Sequence, residues 1–577
     1  MQPQEPKSFF LSWRHNYRRD FLKGDLIAGL TVGVVLVPQG MAYALLAGAP
    51  PAYGLYASLI PLLIYTLLGG SRQLAVGVVA IDSLIVAAGV AALSPTDSSE
   101  AIGYMLVLAM MVGILQLAMG MLRLGFVVSL LSRPVITGFM AAAAIIIGMS
   151  QLQHLMGVSL GRNLNIFILL SDALAHIEQI HLPSVIIGLV GIAALKMVGK
   201  WTPKIPGPLL VVIGSALAVF AFDLHADGVA IVGSIPSGIP SPSFPPFSYE
   251  GIRELFPTAV TLSLIQFMGV ISLGKVFAVK NGYRIDANKE LLALGSMNAA
   301  GSFFSSIPVS GSYSRSAVND RAGAQSPLSN GIAALVILCT LLFLTPLFYY
   351  LPIPIFASII MVAAFGLVDI KEARYLIKTK AVDGIIALLT FFSTLILGIE
   401  HGVLVGIGLS VVAIMIRIGR PNVAVLGHLP HTRSFRDVVN HADAYEFEGV
   451  VILRVDASFS FVNADVLQDL IVEHVRKSTV KAFILDASSV NDFDTTALAT
   501  LAEINQIVKA NDVFFCISSA RQKSLDMLKS SGIMDEIGAD HFFLSTHRAL
   551  FYILSQWGRE SEYLERLTPI QESNHPG

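Results

Sequence analysis

From Leu26 to Ile416 the chain returns again and again to apolar runs of roughly 15–22 residues. Few folds accommodate that recurrence. About 20 such residues cross a bilayer as a helix, and in lipid every backbone polar group must be satisfied within the protein. Clear runs occupy 26–47, 102–121, 183–199, 208–222, 328–350 and 382–416, the last long enough to fold back at Gly398. Hydropathy supports about twelve to fourteen spans. Charge marks where they end. Residues 431–577 hold 34 of the 78 charged residues, about 23% of that stretch, whereas the preceding 430 residues hold 44, about 10%. From about residue 440 the periodicity changes: "VVILRVD" and "KAFILDAS" predict short buried strands, and 464–477 and 497–510 predict helices. Such alternation is that of a small α/β domain.

Arg14, Arg18, Arg19 and Lys23 precede the first run, and Arg417 and Arg420 follow the last. The positive-inside bias predicts both ends on the cytoplasmic side and an even number of spans. The first residues lack the apolar core and cleavage site of a signal peptide. Two cysteines, Cys339 and Cys516, supply no disulfide framework. A net charge of -2 and the absence of a basic stripe give no reason to expect nucleic acid. No metal-ligand spacing, phosphate-binding loop or nucleophilic triad is present, so neither an enzyme nor a cofactor is expected.

Two places interrupt the apolar pattern. After "GLYASLIPLLIYTLL" comes the polar knot "GGSRQLAVG" and then the run containing Asp82; in the second half "LLALGSMNAAGSFF" leads into "PVSGSYSRSAVN". Both read as a helix stopping at mid-membrane depth with another starting there. Short, interrupted segments in corresponding positions of two halves point to a transport site. Between the halves, "VGSIPSGIPSPSFPPFS" (232–248) is a loop.

Between Glu290 and Asp320 the only charged side chain is Arg315, set among Ser310, Gly311, Ser312, Ser314 and Ser316. A guanidinium is costly in hydrocarbon, so it faces a cavity or a partner; the competing reading is an arginine snorkelling from a helix end, with Asp320 five residues away. A helix starting near Ser312 would add unpaired N–H groups and a positive dipole end. Together these describe an anion site. Asp82, among aliphatics in "AVGVVAIDSLIV", reads as a coupling carboxylate, an ion-pair partner of Arg315, or a side chain in a wet crevice. Gln39 and Tyr43, four residues apart in "VPQGMAYALLAG", share a helix face that can line a polar cavity or join neighbouring helices. In "DASSVNDFDTTALATL", Asp492, Asp494, Thr495 and Thr496 precede a helix; capping is the favoured reading, and phosphorylation of Thr495 the alternative.

The run "PPAYGLYASLIPLLIYTLLGGSR" (50–72) resembles the signature of the SulP family, the sulfate permeases that include the animal anion exchangers. "VPQGMAYALLAG", "VGSIPSGIPSP" and "NKELLALGSMNAAGSFFSSIPVSGSYSRSAVN" resemble the same family, and "FILDASSVNDFDTTALATL" resembles a STAS domain. The resemblance covers nearly the whole chain. It implies fourteen helices in two inverted seven-helix repeats, arranged as core and gate, with a small cytoplasmic α/β STAS domain. The implied segments are an N-terminal stretch 1–24, a membrane domain 25–420, a linker 421–439, a STAS domain 440–560 and a tail 561–577. It also implies a homodimer, and an anion held between two half-helices that would start near Val79–Ala80 and Ser312–Ser314. Arg315 and Ser314 fall on the anion-site positions, with Gln39 and Tyr43 facing them. Departures are Gly269 where many members carry glutamate, Val78 in place of a proline, Asp82 in place of an apolar residue, and Ala497 in place of a glycine common in phosphorylated STAS relatives.

The expected function is secondary active transport of an inorganic anion across the cytoplasmic membrane. Sulfate is the first-choice substrate, coupled to a proton or sodium or exchanged, with Asp82 as the coupling candidate. Bicarbonate, chloride or a dicarboxylate, and a channel-like uniport, are the alternatives on this fold. A nucleobase permease is disfavoured by the arginine and the STAS domain. A membrane scaffold acting through a cytoplasmic STAS partner is the alternative of another class.

Overall fold

The computed structural model describes residues 10–11, 13–14, 17–126, 132–158, 166–201, 207–476 and 479–567. The chain divides into two compact units, Met1–Ser410 and Val411–Gly577. The first half of the helical part carries α1 (Phe21–Ala47), α2 (Pro51–Tyr56), α3 (Ile60–Leu68), β1 (Val76–Gly77), α4 (Ala80–Ala92), α5 (Ser98–Met121), α6 (Arg133–Ser150), α7 (Leu152–Met156), α8 (Ile166–Ala175), α9 (Leu182–Trp201) and α10 (Gly207–Phe222). The second carries α11 (Tyr249–Lys280), α12 (Ala287–Ser302), β2 (Ser310–Gly311), α13 (Tyr313–Arg321), α14 (Leu328–Cys339), α15 (Ile353–Phe365), α16 (Ile370–Thr379), α17 (Ala381–Leu397) and α18 (Ile399–Gly419). Among the described residues nine helical stretches are long and apolar enough to cross a membrane, and α4, α8, α10 and α17 are shorter apolar helices. The fold-back at Gly398 is present: with φ 88° that glycine separates α17 from α18.

Each half repeats one order: a long helix, a shorter helix, a two-residue strand and a short helix (α1, α3, β1, α4 against α11, α12, β2, α13). The two strands pair antiparallel, Val76 with Gly311 and Gly77 with Ser310. The preceding helices do not stop at this crossing as the sequence suggested. Helix α12 starts at Ala287, because the Asp286 carboxylate caps it by accepting from the N–H groups of Asn288 (2.8 Å) and Lys289 (3.3 Å). It therefore runs 16 residues, about 24 Å. The chain returns to the crossing through residues 303–309, and from α3 through 69–75, outside helices.

Buried carboxylates tie the return after α3, and the turn after α13, to the bundle. Glu290 Oε1 accepts from the N–H groups of Gly70 (2.6 Å) and Ser71 (2.7 Å), and its Oε2 accepts from the Tyr65 hydroxyl (3.0 Å). Asp25 Oδ1 accepts from the N–H groups of Gln325 (2.7 Å) and Ser326 (3.0 Å), and Oδ2 from the Ser326 hydroxyl (2.6 Å). Each replaces water for backbone donors that no helix satisfies. Small residues let helices cross closely: a Cβ on Gly113 of α5 would stand 2.4 Å from Ala299 N of α12, the close packing expected where lipid supplies no hydrophobic drive between helices.

The second unit folds as a six-stranded sheet in the order β4-β3-β5-β6-β7-β8, formed by β3 (Val423–His428), β4 (Phe435–Asp437), β5 (Val450–Val455), β6 (Ala482–Asp486), β7 (Phe514–Ser518) and β8 (Phe542–Phe543). β5 to β8 run parallel, and β3 is antiparallel to both neighbours. Helices α19 (Ala464–Val475), α20 (Thr495–Ala510), α21 (Gln522–Ser530) and α22 (Ile533–Ile537) bury Leu467, Leu501 and Leu528 in one apolar cluster with Phe483 and Phe515. Helices α23 (Thr546–Gln556) and α24 (Glu560–Leu567) bury Leu550 and Tyr563 in a second cluster with Ile452 and Cys516. Two boundaries differ from the sequence reading. The expected linker 421–439 contains β3 and β4, with Leu426 and Phe435 buried, and the expected tail begins inside α24, whose Tyr563 is fully buried.

That second cluster encloses His428, whose ring meets Phe435, Phe447 and Tyr563. Its Nε2–H donates to the Thr432 carbonyl (2.7 Å), and Nδ1 makes no hydrogen bond among the described residues. Burial, with His547, Arg566 and His431 nearby, holds the imidazole below its ordinary value. His547 is lowered for the same reasons, burial first and then Arg433 and Arg548. An unfolded chain takes up these protons near pH 6.5 while the folded domain resists them. Stability is therefore full above about pH 6.5 and falls as pH drops below it. Hydrogen exchange of the full chain should show β3 and α24 opening more readily at pH 5.5 than at pH 7.5. His428→Phe, which keeps the aromatic packing, should remove part of that acid sensitivity; identical acid responses in the two proteins would contradict the assignment.

Candidate anion site

Extended backbone inside a helical bundle needs partners from elsewhere. Residues 73–76 find them on α13 and α14. The Asn330 amide donates to Leu74 O (2.8 Å) and accepts from Val76 N (3.1 Å). The Ser316 hydroxyl accepts from Ala75 N (2.9 Å), and Asn319 Nδ2 donates to Gln73 O (3.0 Å). Just before the other strand one amide does both jobs: Asn298 accepts from Val309 N (2.8 Å) and donates to Val309 O (3.1 Å). The polar residues scattered through these apolar runs thus fix the crossing from which α4 and α13 start.

Both helices start where the sequence placed them. Val79 and Ser312 stand at the N-caps in extended conformation, and neither contributes a side-chain cap. The first N–H groups of α4 (from Ala80) and α13 (from Tyr313) are left for another acceptor, at the positive ends of the two dipoles. Arg315, third residue of α13, is fully buried. Its Nη1 donates to Gln39 Oε1 at 3.5 Å, while Nε and Nη2 have no hydrogen-bond partner among the described residues. The Gly77 backbone abuts the guanidinium: φ is 142°, and a Cβ there would stand 3.2 Å from Nη2. Gln39 and Tyr43 are both buried in α1, but only Gln39 hydrogen-bonds Arg315. Ser312 is buried, Ser314 is open, and their hydroxyls lie 3.3 Å apart.

Asp82 is the third residue of α4, the position Arg315 holds in α13. It does not ion-pair with Arg315 among the described residues, which removes one reading of its sequence context. Its Oδ2 accepts from the Ser310 hydroxyl (2.5 Å) and from Gln266 Nε2 (3.1 Å). Gln266 Oε1 accepts in turn from Gln116 Nε2 (2.9 Å) and Asn298 Nδ2 (3.3 Å). Sequence reasoning missed Gln116, Gln266 and Asn298. The signal was there, since an amide inside an apolar run needs a buried partner. One turn beyond Gln266, Gly269 faces open space, with nothing among the described residues within 4 Å of where a Cβ would stand.

Thr495 lies outside this assembly, exposed at the first position of α20; Asp494 caps that helix by accepting from Ala497 N (2.8 Å).

A long match accompanies this geometry. The model of the sulfate permease family aligns with residues 22–390, and that of the STAS domain with 441–549. The chain belongs to the sulfate permease family. It is accordingly a multi-pass membrane transporter of anions with a C-terminal STAS domain, and not an enzyme. The permease is 37% identical over 560 residues to sulfate transporter 4.1, chloroplastic, of Arabidopsis thaliana, covering 93% of this chain and 81% of that one. It is 35% identical over 536 residues to a probable sulfate transporter of Mycobacterium tuberculosis, covering 92% and 96%. Among solved structures it resembles the murine Solute Carrier 26 family member A9 anion transporter in the inward-facing state, with TM-score 0.88 and 26% identity over 94% of this chain and 93% of that one.

Proposed function

We propose that this permease carries sulfate across the cytoplasmic membrane by secondary active transport, with the anion held between the N-terminal ends of α4 and α13. The observation that carries the reading is Arg315: a buried guanidinium with two unpaired donor nitrogens, one turn inside a helix start and beside a second. Its planar fork suits an oxyanion with two oxygens to offer. The free N–H groups after Val79 and Ser312 supply direct bonds, and Gln39, Tyr43, Ser312 and Ser314 shape the site. Asp82, on the opposing helix, is the coupling group, and a proton is favoured over sodium because one carboxylate oxygen with two neutral donors is a poor cation cage. Sulfate as cargo is supported by the named substrates of the two relatives above.

Hydrogen bonds from Val232 N to Leu351 O, Ile353 N to Ala230 O and Ser243 N to Phe303 O gather the turns 223–248, 303–309 and 349–352 on one face, and those turns hold no Lys or Arg. Helix α1 runs alongside α14 in the same direction, Asp25 at Ser326, Gly29 at Ile332 and Gly33 at Val336, so Arg18, Arg19 and Lys23 at its start lie at the end opposite the 349–352 turn. The asymmetry favours both ends, and the STAS domain, in the cytoplasm. A homodimer and an unidentified cytoplasmic STAS partner complete the reading, with Thr495 exposed for phosphorylation.

Purified permease in liposomes should take up radiolabelled sulfate saturably and show counterflow, faster with an inward proton gradient. Absence of uptake, together with failure of sulfate to compete against bicarbonate, chloride or fumarate flux, would overturn the substrate. Uptake without counterflow would instead favour the channel-like uniport that the open space at Gly269 suggests.

A further inference from the structure

Helix α16 is unlike its neighbours. It has ten residues, "IKEARYLIKT", of which only Leu376 is buried. At 100° per residue Lys371, Arg374 and Lys378 fall within about 60° of one another. All three are exposed, as is Lys380 just after the helix, and none makes a salt bridge among the described residues. Ile370 (65% exposed) and Ile377 (52%) flank the cations on one side and Tyr375 (57%) on the other. Glu372, the helix's only acidic residue, is half-buried, its N–H donating to the Asp369 cap.

The chain order places α16 at the membrane boundary. Helix α14 leaves the face on which Asp25 grips Ser326, α15 returns to it, and α16 follows four residues later. A single residue, Lys380, separates α16 from the apolar α17. Three unpaired cations rimmed by isoleucines and a tyrosine are therefore presented at headgroup depth, where aliphatic residues bury in the acyl boundary and basic ones meet anionic lipid.

We propose that α16 binds the anionic headgroups of phospholipids in the adjoining leaflet, through Lys371, Arg374 and Lys378, with Ile370 and Ile377 seated among the acyl chains. The inference rests on the membrane reading of the fold and is independent of which anion is carried. The charge complementarity selects the occupant: a zwitterionic lipid offers these cations no net charge, and a purely apolar partner would leave them buried and unpaired.

The full-length permease would be reconstituted in nanodiscs of phosphatidylcholine containing a minority of phosphatidylglycerol, released, and its retained lipids counted by native mass spectrometry. Phosphatidylglycerol should be enriched over its share of the nanodisc. Each single change, Lys371→Gln, Arg374→Gln or Lys378→Gln, should cut that enrichment about fivefold, and the triple change should abolish it. Lys529→Gln, which removes an exposed cation from the STAS domain, should leave it intact. Equal retention by wild type and the triple variant would overturn the proposal. So would displacement of the lipid by inorganic phosphate, which would mark a site for a free anion. Unchanged retention with loss of dimer in the triple variant would assign the face to a second copy of the chain instead, and also overturn it.

Discussion

Replacing Arg315 with alanine should abolish sulfate transport at micromolar substrate while leaving the protein folded. The guanidinium makes a single 3.5 Å hydrogen bond, to Gln39, and no salt bridge among the described residues, so its removal leaves few groups unpaired. What is lost is the charge-assisted contact with the anion. Truncating one partner of a buried, hydrogen-bonded charge pair costs about 2–5 kcal/mol, and 3 kcal/mol corresponds to roughly a hundredfold in affinity. Arg315→Lys should fall between, about tenfold weaker, because an ammonium keeps the charge but not the two-pronged geometry. The measurement is the sulfate concentration dependence of uptake, beside size-exclusion profiles and melting temperatures. If Arg315→Ala were folded with an unaltered KM, the anion would not sit between the two helix starts.

How much of this was legible beforehand depends on the range of the interaction. The starts of α4 and α13 could be read from the sequence because their causes are local: a polar, glycine-containing interruption, then a new helical run with nothing to cap it. The break at Gly398 is legible for the same reason, since a positive φ suits a residue without a Cβ. The partners of Asp82 were not. Gln266 and Ser310 lie 184 and 228 residues away along the chain, and no periodicity reports such a meeting. Arg315, the other isolated charge in these runs, is the counter-ion that the sequence alone offers. The register of β1 against β2 instead sets Asp82 beside Ser310, which is Gly77's partner across the strands. In the STAS domain, β3 was missed because "VAVL" is apolar throughout, so the alternation of half-buried and buried positions in its first four residues has no counterpart in the sequence. It stands close behind the apolar α18 and was absorbed into a linker. Helix α24 was missed because half of "ESEYLERL" is charged and it buries a single tyrosine.

Asp82→Asn should leave a permease that still exchanges sulfate but no longer responds to a proton gradient. Asp82 and Arg315 hold the same position on two facing helices, and with Asp82 ionised they bring one charge of each sign to the site. Entry of a divalent anion leaves the pair and its cargo at two negative charges, and a proton on Asp82 reduces this to one. Each sulfate that binds thus favours a proton on Asp82, and by linkage each proton favours sulfate. Asparagine keeps the size of the side chain and can retain the Ser310 and Gln266 bonds through its carbonyl oxygen. It also makes the neutral state permanent. Binding should therefore survive in the variant, with sulfate affinity equal to or better than wild type at neutral pH. The gradient, worth about tenfold accumulation per pH unit for each coupled proton, should contribute nothing. Uptake at fixed internal pH, with external pH stepped from 7.5 to 5.5, separates the two effects. A rise in wild type with a flat response in Asp82→Asn places coupling on α4. An undiminished rise in the variant would place it elsewhere, and Asp82 would then serve only to hold β2 and α11 against the start of α4.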